Sequence, residues 1–380
     1  LHPDQKSYRM ASGGEGGDYP RYGNIAAQTA SVGSDADVEI EFARAAHIVE
    51  DTYRTQRQYQ AYIEPRNAVG VYRGGRYIAH TGSQWPDNVR ARISQFLDVP
   101  LAKVRVMGHP YGGGFGGKLD YAVEPYAIAL SRACRGRPVK ILNTRYEDML
   151  TAPCREATLI KFRSALDSDG NILARDVECY MDNGAYTGEM SALASFPFHF
   201  AAINYRVGKL RAVGRLVYTN AAPTGAMRGV TGVPMYFALE NHMDHIAAQL
   251  NVDRRDYRLR HLLRSGDRLF NGQILEDADI LRQQFDTIEA IVPWQEAQKN
   301  KRPMRGIAIS PAIWPTTPLP GSATVKLQED GSVVVVTGAN DNGSGAVETG
   351  LRQIVAEELG VNPNNIVMTA SGEVKIIDLG

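Results

Sequence analysis

The sequence predicts a mixed α+β protein built in two units, and three observations lead there. β-branched and aromatic runs recur between turn signals, amphipathic stretches of helical period follow some of them, and glycine-rich loops join strand to helix three times. The 380 residues, 43% of them hydrophobic, are enough for two domains with real cores.

Residues 1–34 are polar and glycine-rich without periodicity, as expected of an extended linker with few contacts. A first domain is expected over residues 35–265, a connection over 266–302, and the start of a second domain over 303–380. In the first, Ile48 to Tyr62 reads as strand, and Ala68 to Gln84 as a hairpin turning at Gly74 and Gly75. Pro86 to Leu97 is an amphipathic helix leading to a strand from Val104. A helix from Tyr121 to Cys134 and a strand from Val139 to Asn143 complete a βαβ-like core. A long hairpin, Thr158 to Ala165 and Ile172 to Met181, turns over Asp167 to Gly170. The strand Lys209 to Tyr218 feeds a glycine-bearing loop, Pro223 to Gly232, and then a helix from Pro234 to Leu250. Asp253 to Leu263 is charged and helical, whereas 264–302 has no clear period. The second unit opens on a hairpin, Ser322 to Leu327 and Val333 to Thr337, then a loop from Gly338 to Gly345, a helix from Val347 to Leu359 and a strand from Ile366 to Thr369. So few elements bury little area, so this unit reads as cut short.

Composition excludes several classes. Lys and Arg number 42 against 42 Asp and Glu, which argues against a nucleic-acid surface. Cys134, Cys154 and Cys179 are odd in number and far apart, so neither a disulfide framework nor an iron–sulfur or zinc site is expected within the chain. No segment is long and apolar enough to span a bilayer and no signal pattern opens the chain, so a soluble, cytoplasmic protein is expected.

The most distinctive stretch runs from Val104 to Lys118, where a strand empties into five glycines broken only by Phe115. Glycine at that density implies positive φ angles or a backbone approached closely by something bound. Three readings compete. Gly112, Gly114 and Gly117 fit the spacing of a phosphate cradle. Gly112 to Lys118 fits a P-loop until Leu119, which stands where a Mg²⁺-binding hydroxyl belongs. In the third, the loop offers backbone amides to a large anionic cofactor while Phe115 faces a reaction pocket. His242, His245 and Glu240 share one helix and could in principle bind metal, but a structural face is the commoner use of such a pair.

Taken in order, these motifs resemble the molybdenum-binding large subunit of the xanthine dehydrogenase, aldehyde oxidoreductase and carbon monoxide dehydrogenase family. The likeness rests on Gln58 to Pro65, Gly82 to Pro86, Gly112 to Lys118, Asp182 to Tyr186, Thr219 to Gly229, Asp330 to Ser332 and Gly343 to Gly345. It covers nearly the whole chain and implies a molybdopterin-binding domain followed by part of a second. In that family the metal has no protein ligand, being held by a pterin dithiolene. The resemblance implies that Gln84 hydrogen-bonds an oxo group on molybdenum and that Gly113, Gly114, Phe115 and Gly116 present amides to it. It also implies that Arg228 belongs to the cofactor cradle and that Gly343, Ser344 and Gly345 meet pterin phosphates at a helix N-terminus. The expected cofactor is a molybdenum molybdopterin, in the cytosine dinucleotide form if the source is bacterial.

Departures from the family bear on substrate. Leu119 stands where xanthine-specific members carry a Glu after the loop lysine, and Phe196 falls where they carry a purine-gripping Arg. Val230 replaces a stacking aromatic, Ser344 replaces a Gln common among relatives, and Trp314 either gates the pocket or packs as a linker residue. A pocket lined by such groups suits an aldehyde or an N-heteroaromatic ring better than a purine. The resemblance further implies an iron–sulfur small subunit carrying 2Fe–2S centres, an FAD subunit, and remaining N- and C-terminal parts of the large subunit. The family's catalytic Glu lies in that C-terminal part, beyond this chain, so a single chain incomplete for catalysis is expected, or a non-catalytic cofactor-carrying subunit.

Overall fold

The computed structural model describes residues 7–9, 18–20, 23–29, 35–187, 194–270, 272–299, 303–314, 322–339 and 345–370. In chain order the strands are β1 (Ser7–Arg9), β2 (Asp18–Pro20), β3 (Ile25–Gln28), β4 (His47–Thr55), β5 (Asn67–Arg73), β6 (Arg76–Thr81), β7 (Val104–Gly108), β8 (Val139–Leu142), β9 (Thr158–Leu166), β10 (Ile172–Gly184), β11 (Lys209–Tyr218), β12 (Ala323–Leu327), β13 (Val333–Thr337) and β14 (Ile366–Ala370). The helices are α1 (Asp35–Ala43), α2 (Pro86–Leu97), α3 (Glu124–Ala133), α4 (Arg145–Thr151), α5 (Phe196–Phe200), α6 (Gly232–Gln249), α7 (Arg254–His261), α8 (Ile280–Ile291), α9 (Trp294–Lys299) and α10 (Ala346–Leu359).

These elements divide into two discontinuous units, one of residues 1–57, 156–221 and 229–316, the other of 58–155, 222–228 and 317–380. The first holds a five-stranded sheet of order β3-β11-β10-β9-β4, in which β10 pairs antiparallel with β9 and parallel with β11. Its long helix α6 follows from the sequence: Met235, Ala238, Leu239, His242, Met243, Ile246 and Ala247 are buried, at alternating intervals of three and one. Val38 and Phe42 of α1 pack on Ala165 and Ala174. Two buried polar knots fix the helices. Glu240 accepts from Tyr205 and Arg258, and Arg175, fully enclosed, donates to Ser164 and to the Ala201 carbonyl.

The second unit contains a four-stranded sheet, β7-β6-β5-β8, and a three-stranded sheet, β12-β13-β14. The β5–β6 hairpin turns through Gly74 and Gly75 at φ of 57° and 75°, the left-handed pair that a two-residue hairpin needs. Helix α3 lies so close to β5 that a Cβ on Gly70 would sit 2.2 Å from the Ala127 carbonyl carbon. Tyr77, Ala79, Val89, Ile93, Val104, Val106 and Ile128 form the core between that sheet and helices α2 and α3. This packing delivers two chain ends to one place: β6 runs into Gly82 to Gln84 and its parallel neighbour β7 runs into the glycine loop.

The structure departs from the sequence reading in particular elements. Residues 25–28 of the expected linker form β3 against β11, with Ala26 fully buried, because alternation over four residues is too short to register as a period. Residues 280–291 and 294–299 are helical, anchored by Leu281, Phe285 and Trp294, although their many polar residues hide that stripe. Helix α1 is a further element that the sequence pattern does not announce.

A glycine-loop cradle as the candidate functional site

Glycines 112–117 do not open a helix. Six residues separate Gly117 from the first residue of α3, Glu124, so these amides do not form the N-terminus that a dinucleotide cradle would use. The P-loop reading fails on Lys118. Its side chain is buried against Glu64, Nζ to Oε2 at 2.8 Å, with Tyr62 and Tyr111 rings at 4.9 and 5.1 Å, and is not presented to a phosphate.

The third reading turns on which of the loop's amides the fold itself uses. The Gly112 amide donates to Glu64 Oε2, that of Gly113 to the Tyr111 carbonyl and that of Gly117 to the Gly114 carbonyl. Gly116 and Lys118 amides both donate to Gln84 Oε1, at 2.8 and 3.3 Å. The amides of Gly114 and Phe115 have no partner among the described residues. Phe115 is half-buried at φ 51°, a left-handed conformation that costs a non-glycine residue energy and that turns its peptide away from the local pattern.

Close packing explains most of the glycines. A Cβ on Gly114 would lie 2.5 Å from Gln84 Oε1, and one on Gly116 would lie 2.5 Å from the Ala226 carbonyl oxygen. The second contact shows what the loop rests on. Residues 222–228 run beside it: the Arg228 amide donates to the Phe115 carbonyl at 2.9 Å, and Gln60 Nε2 donates to the Ala226 and Pro153 carbonyls at 2.7 Å each. Buried Arg155 donates to the Met227 and Arg228 carbonyls. The Arg228 backbone is thus fixed, while its exposed guanidinium has no hydrogen-bond or ion-pair partner among the described residues.

Beneath this cradle, Asp148 of α4 is fully buried and accepts from Tyr59 at 2.6 Å and from Arg66 Nε at 2.9 Å. Burial opposes its ionisation, but these hydrogen bonds and the Arg66 charge outweigh burial and hold its pKa down at about 2. Glu64 behaves alike: burial resists the charge, whereas Lys118, Asn67 and the Gly112 amide bring its pKa below the usual carboxylate value. Burial draws Lys118 below the ordinary lysine value against the pull of Glu64.

The structure therefore groups Gln84, Gly113, Gly114, Phe115, Gly116, Leu119 and Arg228 in one unit, with Leu119 half-buried directly after Lys118. Phe196, Val230 and Trp314 belong to the other. There Phe196 stacks on Phe200 at 6.2 Å, and Trp314, 51% exposed, lies against the same ring at 5.4 Å. Val230 has φ 32°, an unusual angle for a β-branched residue. Gly345 caps α10 in the left-handed conformation, whereas Gly343 and Ser344 lie outside the described residues. His242 and His245 both face Asp51, at 2.5 and 2.7 Å, and His242 also meets Ser164, so they serve one carboxylate in the fold. Sequence reasoning gave no roles to Gln60, Glu64, Lys118 and Arg155, although Gln60, Glu64 and Lys118 lie inside the motifs it singled out. No helix among the described residues is long and apolar enough to cross a membrane.

Residues 20–262 match the family model of a molybdopterin cofactor-binding domain, and residues 283–377 match a second model of that description. The xanthine dehydrogenase molybdenum-binding subunit of Escherichia coli O157:H7 is 29% identical over 371 residues, covering 94% of this chain and 49% of the relative. The nicotinate dehydrogenase large molybdopterin subunit of Eubacterium barkeri is 32% identical over 244 residues, covering 64% and 57%. The solved structure of quinoline 2-oxidoreductase from Pseudomonas putida 86 superposes with a TM-score of 0.74 at 26% identity, covering 92% of this chain and 48% of that one. The chain thus spans about half the length of these proteins. The two matched cofactor-binding domains, the first spanning more than half of the chain, place it in the molybdenum-binding large-subunit family of the molybdenum hydroxylases.

Proposed function

We propose that this chain is the molybdopterin-binding part of an enzyme that oxidises an aldehyde or an N-heteroaromatic ring with oxygen derived from water and passes two electrons to iron–sulfur and flavin partners. The observation that carries the reading is a set of donors in one cradle that have no partner among the described residues: the Gly114 and Phe115 amides, Gln84 Nε2 and the Arg228 guanidinium. Donors left without protein partners suit an anion, and a pterin phosphate or a metal-oxo centre is one. The residues present fit the group. When bound, the molybdenum pterin supplies the two-electron oxidation.

The chain's own contribution is to bind and orient. Gln84 uses its carbonyl oxygen on the loop, so the side chain meets a ligand only as a donor. The Gly114 and Phe115 amides add fixed dipoles that need no reorganisation. Arg228 adds charge at a backbone position set by Phe115, Gln60 and Arg155. Leu119, in the same unit as the cradle, is assigned to the substrate pocket, where the absence of a carboxylate disfavours a purine. The similar chain from Pseudomonas putida 86 is named for quinoline, which supports the heteroaromatic class. The expected pterin is the cytosine dinucleotide form, and the expected site of action is the cytoplasm.

Metal and pterin analysis of the protein purified with its partners tests the reading, followed by assay of quinoline-like rings, aromatic aldehydes and xanthine with an artificial electron acceptor. Stoichiometric molybdenum and turnover of the first two classes are expected. A magnesium nucleoside triphosphate in place of molybdenum overturns it.

A further inference from the structure

One carboxylate oxygen holds both ends of the glycine loop. Glu64 Oε2 accepts from the Gly112 amide at 2.8 Å and from Lys118 Nζ at 2.8 Å, while the Glu64 amide donates back to the Gly112 carbonyl at 3.2 Å. Asn67 Nδ2 donates to the other oxygen at 3.0 Å and so orients the carboxylate. Only 2% of the Lys118 side chain is accessible, and the Tyr62 and Tyr111 rings flank its ammonium.

Five glycines in six positions leave a backbone with great conformational freedom, and the bonds inside the loop join near neighbours only. Gln84 holds the second half through Gly116 and Lys118 but does not reach Gly112. Among the described residues, the hydrogen-bonded link from the first residue of the loop to the last runs through Glu64. We propose that the Glu64–Lys118 pair is a positioning element that pre-organises this loop, so that retention of an anionic metal-oxo pterin by the Gly114 and Phe115 amides depends on it. The inference rests on the proposed function for the identity of the anion.

The test uses two readouts on the full chain. Amide hydrogen exchange, read by mass spectrometry without cofactor, compares wild type with Lys118→Met, Lys118→Arg and Glu64→Gln. Molybdenum retention after gel filtration is then measured on the same variants purified with their partners. Lys118→Met is expected to speed exchange across residues 112–118 by about tenfold or more while the α6 peptide stays unchanged, as for local loosening of one segment. Lys118→Arg keeps the charge and recovers part of the protection. Glu64→Gln keeps the shape and loses the charge, giving a smaller change in the same peptide if Lys118→Met fails to fold. Molybdenum retention is expected to fall in the same order. Exchange unchanged in both Lys118→Met and Glu64→Gln overturns the proposal, as does loosening spread evenly over all peptides, or a loosened loop that retains molybdenum as wild type does. A wild type that holds no molybdopterin overturns the proposed function and with it the anion role, and the exchange result then decides the loop's order alone.

Discussion

Gln84 Oε1 lies 2.8 Å from the Gly116 amide and accepts it, along with the Lys118 amide at 3.3 Å. Two donors on one side fix the amide's orientation, so Nε2 is the end left for a ligand. Gln84→Ala consequently does two things: it removes that donor and also frees two loop amides. Gln84→Glu separates them, because a carboxylate still accepts both amides but cannot donate. It is expected to melt within a few degrees of wild type while turnover falls by about one to three powers of ten, the range for a lost positioned donor. Thermal melts and steady-state kinetics check this, and unchanged turnover removes Gln84 from the site.

Gly116→Ala tests the contact between the two loops. Gly116 has φ 97° and its Cβ would lie 2.5 Å from the Ala226 carbonyl oxygen, whereas Gly331 has φ 81° and open space around it. Both substitutions force a left-handed alanine, but only the first adds a collision. Gly116→Ala is expected to be the more destabilising by about 1–3 kcal/mol, the usual range for overpacking. Denaturant titration measures the difference, and equal effects would mean that the loops separate without cost.

Arg228→Ala is expected to leave stability within about 0.5 kcal/mol, because the guanidinium has no protein partner to lose among the described residues. Cofactor retention is expected to fall instead. Metal analysis beside a melting curve checks both halves, and full molybdenum occupancy in the variant contradicts the role given to Arg228.

Asp148 makes the cradle's support sensitive to acid. An unfolded aspartate titrates at the ordinary value of 3.8 and the native one at about 2, so the stabilisation is complete above the first value and lost as pH falls through the second. The size is about 2 kcal/mol from that difference. Asp148→Asn is expected to remove this acid limb and to cost about 3 kcal/mol at neutral pH, since Arg66 loses its buried partner. Stability measured from pH 6 to pH 2 checks it, and an unaltered acid limb assigns that limb to another carboxylate.

The sequence by itself determined the elements whose signal is local. The hairpin at Gly74 and Gly75, the helix from Pro86 and the buried stripe of α6 could be read from turn chemistry and period, because each depends on residues a few positions apart. The order of the motifs likewise pointed to the family, and Gln84, Phe115 and Arg228 were singled out by it. What tertiary structure decided was which donors are spent. Nothing in the sequence tells that Lys118 turns to Glu64, 54 positions earlier, or that Gln84 gives its oxygen to Gly116. The second pairing arises only when β6 and β7 lie side by side and bring Gly82–Gln84 against the glycine loop. The same holds for His242 and His245, whose helical spacing suits a metal but which both meet Asp51 of β4 once α6 packs on the sheet. Hydrogen-bond capacity is conserved per group, so a donor's availability is settled by what folding sets beside it.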